Sequence, residues 1–281
     1  MAGSDRALDQ GRIGAKFDYL RRQGIALFAQ DGSGVTSAEQ ILVISAAVEE
    51  TVPDVVSAKR IGARIMIRAE LLASLFNAAP SSVGVAGTSG KSTTTGMIGW
   101  ILEKTGKRPT VMNGAVMKNF IAPDALFTSA LVGGNDFFVA EVDESDGSIA
   151  RYTPHVAVIN NISLDHKSME ELRQLFGDFA GKAQHVVLNL DNDETAALIA
   201  KLPRERVRTY SLSDARADLV AENIKPAQDG IAFSVSSHGE RADVRLQMIG
   251  RHNVANALAA IAAAQSCGVS LAEAASALGS F

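Results

Sequence analysis

The sequence has little of several features that would point to particular classes of protein. It carries one cysteine, Cys267, so it forms no internal disulfide and offers no thiolate cluster for a metal. Cys267 lies in an Ala-rich helical pattern, and we expect a packed thiol rather than a reactive one. No apolar run approaches the roughly 18 residues of a membrane span, and the amino-terminal MAGSDRALDQGR lacks the apolar core of a signal peptide. These features favour a cytoplasmic protein without a membrane partner.

A strong excess of charge is also missing. The net charge is −4 at pH 7, which gives no electrostatic case for nucleic acid or an anionic membrane as a partner. Any binding of phosphate must therefore come from local geometry. Apolar residues make up 47% of the sequence, which is enough for buried cores. The length of 281 residues suggests about two domains.

The order of apolar and amphipathic segments predicts an α/β protein in two parts. From residue 12 to about 78, short apolar runs alternate with helical patterns, which indicates a doubly wound parallel sheet. Pro80 marks a boundary, so we expect domains at 1–79 and 80–281. The second part has further buried strands, then alternating polar and apolar residues from about 205 to 250 that predict antiparallel strands, and Ala-rich helices at its end.

A glycine-rich turn follows the first strand of the second part. The stretch VAGTSGKST places Gly87 and Gly90 between a buried strand and a helix, where glycine lets backbone N–H groups approach an anion. Lys91 would reach the terminal phosphates of a nucleotide, and the Ser92 hydroxyl would contact Mg²⁺. The motif is the shorter G-x-x-G-K-S, since Val85 stands where the longer pattern has glycine. The alternative is a tight turn with an exposed lysine.

Acidic and histidine residues follow two further strands. Glu141, Asp143, Glu144 and Asp146 come after FFVA, and NNISLDH comes after the next apolar run. The carboxyl ends of parallel strands meet at one edge of a sheet, and Mg²⁺ prefers carboxylate and phosphate oxygens. Taken alone, the first segment is an acidic turn and the histidine a structural residue. Together with the glycine-rich loop they predict a nucleotide–metal site.

Four segments together resemble the Mur ligases, the ATP-dependent amide-forming enzymes of peptidoglycan synthesis. They are GTSGKSTTT, EVDESDG, NNISLDH and GRHNVANALAA, in the order and approximate spacing of that family. The E-x-D-E-S-D form is most similar to the branch that joins UDP-N-acetylmuramate to L-alanine. The branch that attaches recycled murein tripeptide is the alternative, and the NN before ISLDH leans toward it.

The resemblance implies a role for individual residues. Lys91 and His166 would be catalytic, and Ser92 (or Thr93), Glu141 and His166 would hold Mg²⁺. The residues implied in binding ATP are those of the loop and of the GRHNVAN segment, the latter for adenine: Gly87, Thr88, Ser89, Gly90, Lys91, Ser92, Thr93, His252, Asn253 and Asn256. From the sequence alone, Asn253 has a plainer interpretation as a helix cap.

The resemblance also implies the arrangement of domains. Residues 1–79 would be part of a Rossmann-like domain for a UDP-sugar, and 80–281 the central ATP-binding domain with a small antiparallel portion. The start of the first domain and a C-terminal ligase domain are expected to be absent from this chain. The implied reaction joins a UDP-N-acetylmuramate-type carboxylate to an amino acid or peptide through an acyl phosphate. We expect this chain to bind Mg-ATP without completing ligation alone.

Two other functions agree with the same motifs. The chain would then be a non-catalytic ATP-binding module, or one half of a split ligase whose partner chain supplies the missing domain. A P-loop kinase or GTPase is a weaker alternative, because the sequence has no N-K-x-D guanine motif and no arginine-rich lid segment.

Overall fold

The computed structural model describes residues 1–121, 126–165 and 167–281. Their contacts divide into two compact units, one of 1–74 with 126–127 and one of 75–121 with the described residues from 128 to 281. The division falls inside a helix because its last turn packs into the second unit. There the Phe76 ring lies 5.8 Å from that of Phe138 and 5.1 Å from that of Tyr152, centroid to centroid. The predicted domain boundary after residue 79 stays a prediction.

The first unit is built from short parallel strand pairs and helices. Its elements are β1 (Ala2–Ser4), α1 (Arg6–Asp9), α2 (Gly14–Arg22), β2 (Ala26–Phe28), β3 (Ile41–Ile44), α3 (Pro53–Ile61), β4 (Arg64–Ile67) and most of α4 (Arg68–Ala78). Strand β1 pairs with β2 and β3 with β4, both in parallel. The prediction of one doubly wound sheet here is wrong in its detail, because the described strands form two separate pairs. The short strands β1 and β4 leave too little pattern in the sequence to reveal the pairing.

Within the described residues of the second unit, ten strands form one sheet. Its strands are β5 (Ser81–Ala86), β6 (Thr110–Met112), β7 (Ala130–Leu131), β8 (Phe137–Glu141), β9 (Val156–Ile159), β10 (His185–Asn189), β11 (Val207–Ser211), β12 (Leu219–Ala227), β13 (Gly230–Ser237) and β14 (Glu240–Leu246). Their order across the sheet is β14-β13-β12-β11-β10-β9-β5-β8-β6-β7. The α/β fold class with a mostly parallel sheet is therefore confirmed.

The chain changes direction across this sheet at β5. From β5 it moves first toward β6 and β8 on one side, and afterwards to β9, β10 and β11 on the other. Strand β5 pairs in parallel with both β8 and β9. The carboxyl end of β5 is thus a topological switch point, which is where open α/β sheets form a crevice for ligands.

The predicted antiparallel strands are β12, β13 and β14, which follow β11. Strand β11 pairs in parallel with β10 and with β12. In this part of the sheet β12 pairs antiparallel with β13, and β13 with β14, as the alternating pattern predicts. Strand β11, which precedes these three strands, therefore extends the parallel sheet.

Helices cover the sheet of the second unit. They are α5 (Lys91–Lys104), α6 (Met169–Lys182), α7 (Asp193–Leu198), α8 (Arg251–Ser266) and α9 (Leu271–Leu278). The Ala-rich α8 is buried over most of its length, and it packs against α5, α9 and five strands of the sheet. Small side chains let its backbone approach these neighbours closely, which places its first turn beside the amino end of α5.

The remaining expectations from composition can be compared with the structure. Cys267 is buried at the end of α8, and its burial raises the pKa of the thiol to about 12. The described residues include no helix that is both long enough and apolar enough to span a membrane.

A pair of histidines at the amino ends of β9 and β10 predicts a dependence of stability on pH. The rings of His155 and His185 are 5.2 Å apart. Burial lowers the pKa of His185 below its ordinary 6.5, helped by the charges of His155, Arg208 and Arg206. The unfolded chain therefore takes up a proton at His185 as pH falls below about 6.5, while the folded chain resists it.

We expect the free energy of unfolding to be fully retained above this pH and to decrease below it. Urea unfolding of the wild type and of His185→Gln at pH 8 and pH 5.5 measures the effect. The substitution should reduce the loss of stability between the two pH values. An identical loss in both proteins would show that His185 is not responsible.

Candidate nucleotide-binding site

The glycine-rich loop lies at the switch point, between β5 and α5, and its two glycines are required by close contacts. Gly87 has φ of 130° and Gly90 has φ of 81°. A Cβ on Gly87 would lie 3.0 Å from the Asn161 carbonyl oxygen, and one on Gly90 would lie 2.5 Å from Asn256 Oδ1. Any other residue at these positions would strain the backbone and collide with the segment after β9 or with α8.

Asn161 holds the loop through hydrogen bonds to two consecutive residues. Its carbonyl oxygen accepts from the Thr88 N–H at 3.0 Å, and its Oδ1 accepts from the Ser89 N–H at 2.9 Å. Its Nδ2 donates to the Ser89 carbonyl at 3.1 Å. The backbone N–H groups of Thr88 and Ser89 are therefore already hydrogen-bonded within the protein and are not available to a ligand.

The next four N–H groups remain free. Those of Gly90, Lys91, Ser92 and Thr93 have no acceptor among the residues that the structure describes. They form the amino end of a 14-residue helix, where the helix dipole also favours an anion. Free donors at a helix start beside a loop of glycines fit a bound phosphate group.

Lys91 lies over this loop but is already paired. Its Nζ donates to the Gly87 carbonyl at 2.7 Å and to Glu144 at 3.1 Å and 3.3 Å. The side chains of Lys91 and Glu144 are 15% and 7% exposed, so the ion pair is largely buried. The lysine is where the motif predicts it. Its partner Glu144 was not singled out from the sequence, although it belongs to the E-x-D-E-S-D cluster.

Asp143 also lies within electrostatic reach of Lys91. Partial burial raises the pKa of Asp143, but hydrogen bonds from Ser145 and the charge of Lys91 together outweigh it and hold the pKa below its ordinary value. Asp143 is therefore ionised at neutral pH. Two carboxylates, of Asp143 and Glu144, thus accompany the loop lysine.

The residues predicted to hold Mg²⁺ are connected through the turn after β6. Glu141 ends β8 opposite Val85, and its Oε2 accepts from the Gly114 N–H at 2.9 Å. The neighbouring Asn113 donates through Nδ2 to the Ser92 carbonyl at 3.0 Å. Ser92 and Thr93 also border a cavity of about 420 Å³. Residues 113–114 therefore connect Glu141 to the first turn of α5 through hydrogen bonds.

A magnesium site here has two predicted ligands within the described residues, Ser92 and Glu141. The third, His166, lies outside them. The described residues contain no group of three or more His, Cys, Asp or Glu that could hold a metal. Mg²⁺ bound with a nucleotide takes one or two protein ligands and completes its shell with phosphate oxygens and water, so a hydroxyl and a carboxylate fit it.

The start of α8 reaches the loop through Asn256. Its Oδ1 accepts from the Thr94 hydroxyl at 3.3 Å, and its Nδ2 donates to Asn253 Oδ1 at 3.2 Å. Asn253 in turn donates to the Ile249 carbonyl at 2.8 Å. Both asparagines are buried, whereas His252 is exposed and lies over Gly250. Gly250 occupies the cap position of α8, so the interpretation of Asn253 as the cap residue is wrong.

Asn160 completes the polar cluster beneath the loop, and sequence reasoning missed its role. Its Nδ2 donates to the Thr94 hydroxyl at 2.9 Å, and its carbonyl accepts from Asn189 at 3.1 Å. Its Oδ1 is buried without a partner in the described part of the chain. The doubled asparagine in NNISLDH was the available signal, and it positions the loop from below with Asn160 and from the side with Asn161.

A phosphate loop at the switch point of a parallel sheet defines a P-loop nucleotide-binding domain. The family model for the Mur ligase middle domain matches residues 85–264. This chain belongs to the Mur ligase family, and the resemblance drawn from its motifs is confirmed.

Curated proteins similar to this chain are named UDP-N-acetylmuramate–L-alanine ligase. A UDP-N-acetylmuramate–L-alanine ligase from Novosphingobium aromaticivorans is 36% identical over 264 residues, which cover 89% of this chain and 54% of that protein. The same named enzyme from Persephonella marina is 34% identical and is covered to 53%. The chain thus spans about half the length of these curated relatives.

Two solved structures have the same fold as this chain. UDP-N-acetylmuramate-alanine ligase from Thermotoga maritima has a TM-score of 0.78 at 26% identity, covering all of this chain and 62% of its own. The UDP-N-acetylmuramate:L-alanyl-gamma-D-glutamyl-meso-diaminopimelate ligase from Neisseria meningitides has a TM-score of 0.76 at 25% identity, covering all of this chain and 90% of its own.

Replacement of Gly90 by alanine tests the packing of the loop. Gly90→Ala should lower the free energy of unfolding by roughly 1–3 kcal/mol more than Gly106→Ala, because both adopt positive φ but only Gly90 meets a neighbouring atom. Gly106, which follows α5, has φ of 76° and open space around it. Urea unfolding of the two variants measures the difference, and equal losses would contradict the close contact with Asn256.

Proposed function

We propose that this chain provides the nucleotide-binding domain of an ATP-dependent carboxylate–amine ligase in peptidoglycan precursor synthesis. The observation that carries the proposal is the row of four free N–H groups at the start of α5, with Lys91 above them. Such a row suits the phosphates of a nucleotide, and membership of the Mur ligase family supports ATP as that nucleotide. The carboxylate substrate in this proposal is of the UDP-N-acetylmuramate type.

The amine is proposed to be L-alanine. The curated relatives named UDP-N-acetylmuramate–L-alanine ligase support it, at 36% and 34% identity. The second candidate is a murein tripeptide, supported by the name of the Neisseria structure. Both amines are proposals, because this chain spans about half the length of the curated relatives.

In this proposal the loop residues hold and orient the phosphates. The four N–H groups and Lys91 bind the phosphate oxygens, while Gly87 and Gly90 keep the backbone close to them. Ser92 and Glu141 hold Mg²⁺, and His166 remains a proposed ligand and catalytic residue from the family motif. When bound, Mg-ATP would supply the phosphoryl group that activates the substrate carboxylate toward the amine.

Adenine binding is proposed for His252, Asn253 and Asn256. Each of the two asparagines has a second amide N–H with no acceptor among the described residues, and such a group can donate to a ring nitrogen. The exposed ring of His252 is available for stacking. Thr88, Ser89 and Thr93 complete the proposed contacts around the loop.

Removal of the lysine charge tests nucleotide binding. Because Lys91→Met alone would leave the buried Glu144 without its partner, it is combined with Glu144→Gln. The double variant should bind Mg-ATP roughly tenfold to a hundredfold more weakly than the wild type, since charge-assisted hydrogen bonds contribute about 1.5–3 kcal/mol. Titration calorimetry measures the dissociation constants.

The matched control is Lys104→Met, at the other end of α5, where the lysine lies 4.3 Å from the centre of the Trp100 ring. It should leave the affinity unchanged. Competition between ATP and GTP for the wild type measures the nucleotide preference of the site, and we expect ATP to bind more tightly. An affinity for Mg-ATP that is the same in the double variant and in the wild type would rule out the proposed phosphate site.

The complete reaction is tested with substrates. Purified chain is mixed with Mg-ATP, UDP-N-acetylmuramate and either L-alanine or the murein tripeptide, and ADP and amide product are followed by mass spectrometry. We expect nucleotide binding without efficient product formation, because holding carboxylate, phosphate and amine together can contribute roughly 7–11 kcal/mol to the rate and the relatives use about twice this length. Efficient L-alanyl product would show that these residues suffice. Product from the tripeptide alone would favour the second candidate.

A further inference from the structure

Glu144 is a buried carboxylate that the local turn does not require. It follows β8, and Asp143 and Asp146 on either side of it each accept a hydrogen bond from a nearby N–H, those of Ser145 and Ser148. Glu144 contributes only its backbone carbonyl to the turn, by accepting from the Gly147 N–H. Its side chain instead turns inward to Lys91. The reason for a glutamate here therefore lies in the lysine.

The ion pair satisfies two charges that water reaches poorly. A buried carboxylate that loses its only cationic partner is strongly destabilised, so Lys91 cannot leave Glu144 without cost. Of the three N–H groups of Lys91, one donates to Gly87 and one is shared between the two oxygens of Glu144. The remaining N–H has no acceptor in the part of the chain that the structure describes, and the carboxylate already neutralises most of the positive charge.

We propose that Glu144 is a positioning residue that competes with nucleotide phosphate for Lys91. The proposal rests on the function proposed above, in which Lys91 binds the terminal phosphates. Before a nucleotide binds, the Glu144 carboxylate accepts hydrogen bonds from the Lys91 amine in place of a phosphate oxygen. This pairing holds the Lys91 side chain over the loop. When the phosphates bind, Lys91 must be shared with them or transferred to them. Glu144 thereby lowers the affinity of the site for the nucleotide and favours its release.

The test is Glu144→Gln, which removes the charge and keeps the shape. The dissociation constants of ATP, ADP and AMP are measured by titration calorimetry. We expect the variant to bind ATP and ADP about tenfold more tightly than the wild type, because Lys91 is no longer paired with a carboxylate and its charge is available to the phosphates. AMP, which lacks the outer phosphates, should bind both proteins equally. A role in stability alone would not depend on the number of phosphates.

Asp143→Asn is the matched control. It makes the same change in charge at the neighbouring position, within electrostatic reach of Lys91, but at a residue far more exposed than Glu144 and without a hydrogen bond to the lysine amine. Its effect on ATP affinity should be less than about threefold, because solvent screens an exposed charge. The Lys91→Met/Glu144→Gln double variant should lose the gain entirely, since the gain acts through the lysine.

The outcomes separate this inference from the proposed function. If the wild type binds ATP and the double variant binds it much more weakly, but Glu144→Gln binds it no more tightly than the wild type, the competition is refuted and the phosphate site stands. If neither the double variant nor Glu144→Gln changes the affinity for ATP, both the competition and the proposed function are refuted. Should Glu144→Gln prove too unstable to purify, Glu144→Asp withdraws the carboxylate by one methylene. It should then show a smaller gain in the same direction, and no gain would refute the competition.

Discussion

The site depends on the close packing of one loop between two neighbours. Gly87 touches the backbone of residues 160–161, and Gly90 touches Asn256, at distances that leave no room for a Cβ. Asn161 then takes the N–H groups of Thr88 and Ser89. With the loop fixed in this way, the following four N–H groups have no acceptor among the described residues. The proposed capacity to hold an anion thus follows from how the loop is packed, since no excess of positive charge exists in the chain to attract one.

The rest of the second unit brings these neighbours to the loop. Strand β9 lies directly beside β5, so the segment that follows it meets the loop at the same edge of the sheet. Helix α8 reaches the loop because its alanine side chains allow it to lie deep against α5 and the sheet. A polar cluster of Thr94, Asn160 and Asn256 then sits under the loop in an otherwise apolar region. Both the fold and the composition of α8 therefore contribute to the geometry of the site.

Local motifs made part of this predictable from sequence. The glycines, Lys91 and the first turn of α5 lie in one continuous stretch, and the order of strand, loop and helix fixes their arrangement. Glu144 and Asn161 were harder to predict, because their roles depend on which strands become neighbours. Nothing within DESD distinguishes the glutamate that turns inward from the aspartates that bind the local backbone. The short β1 and β4 are hard to predict for a related reason, since three or four residues carry no detectable alternation.

The balance of charge around the loop supports a nucleotide that arrives with its cation. Lys91 is the positive side chain bonded to the loop, and it is already neutralised by Glu144. Asp143 and Glu141 lie at the same edge of the sheet, and Asp143 is held ionised. A bare triphosphate would add further negative charge beside these carboxylates, and the free N–H groups carry only partial charges against it. A divalent cation between phosphate and carboxylate turns this repulsion into attraction. The acidic cluster, which on its own argues against an anion site, is therefore consistent with one for a metal nucleotide, and it gives Glu141 a physical reason to stand where β8 ends.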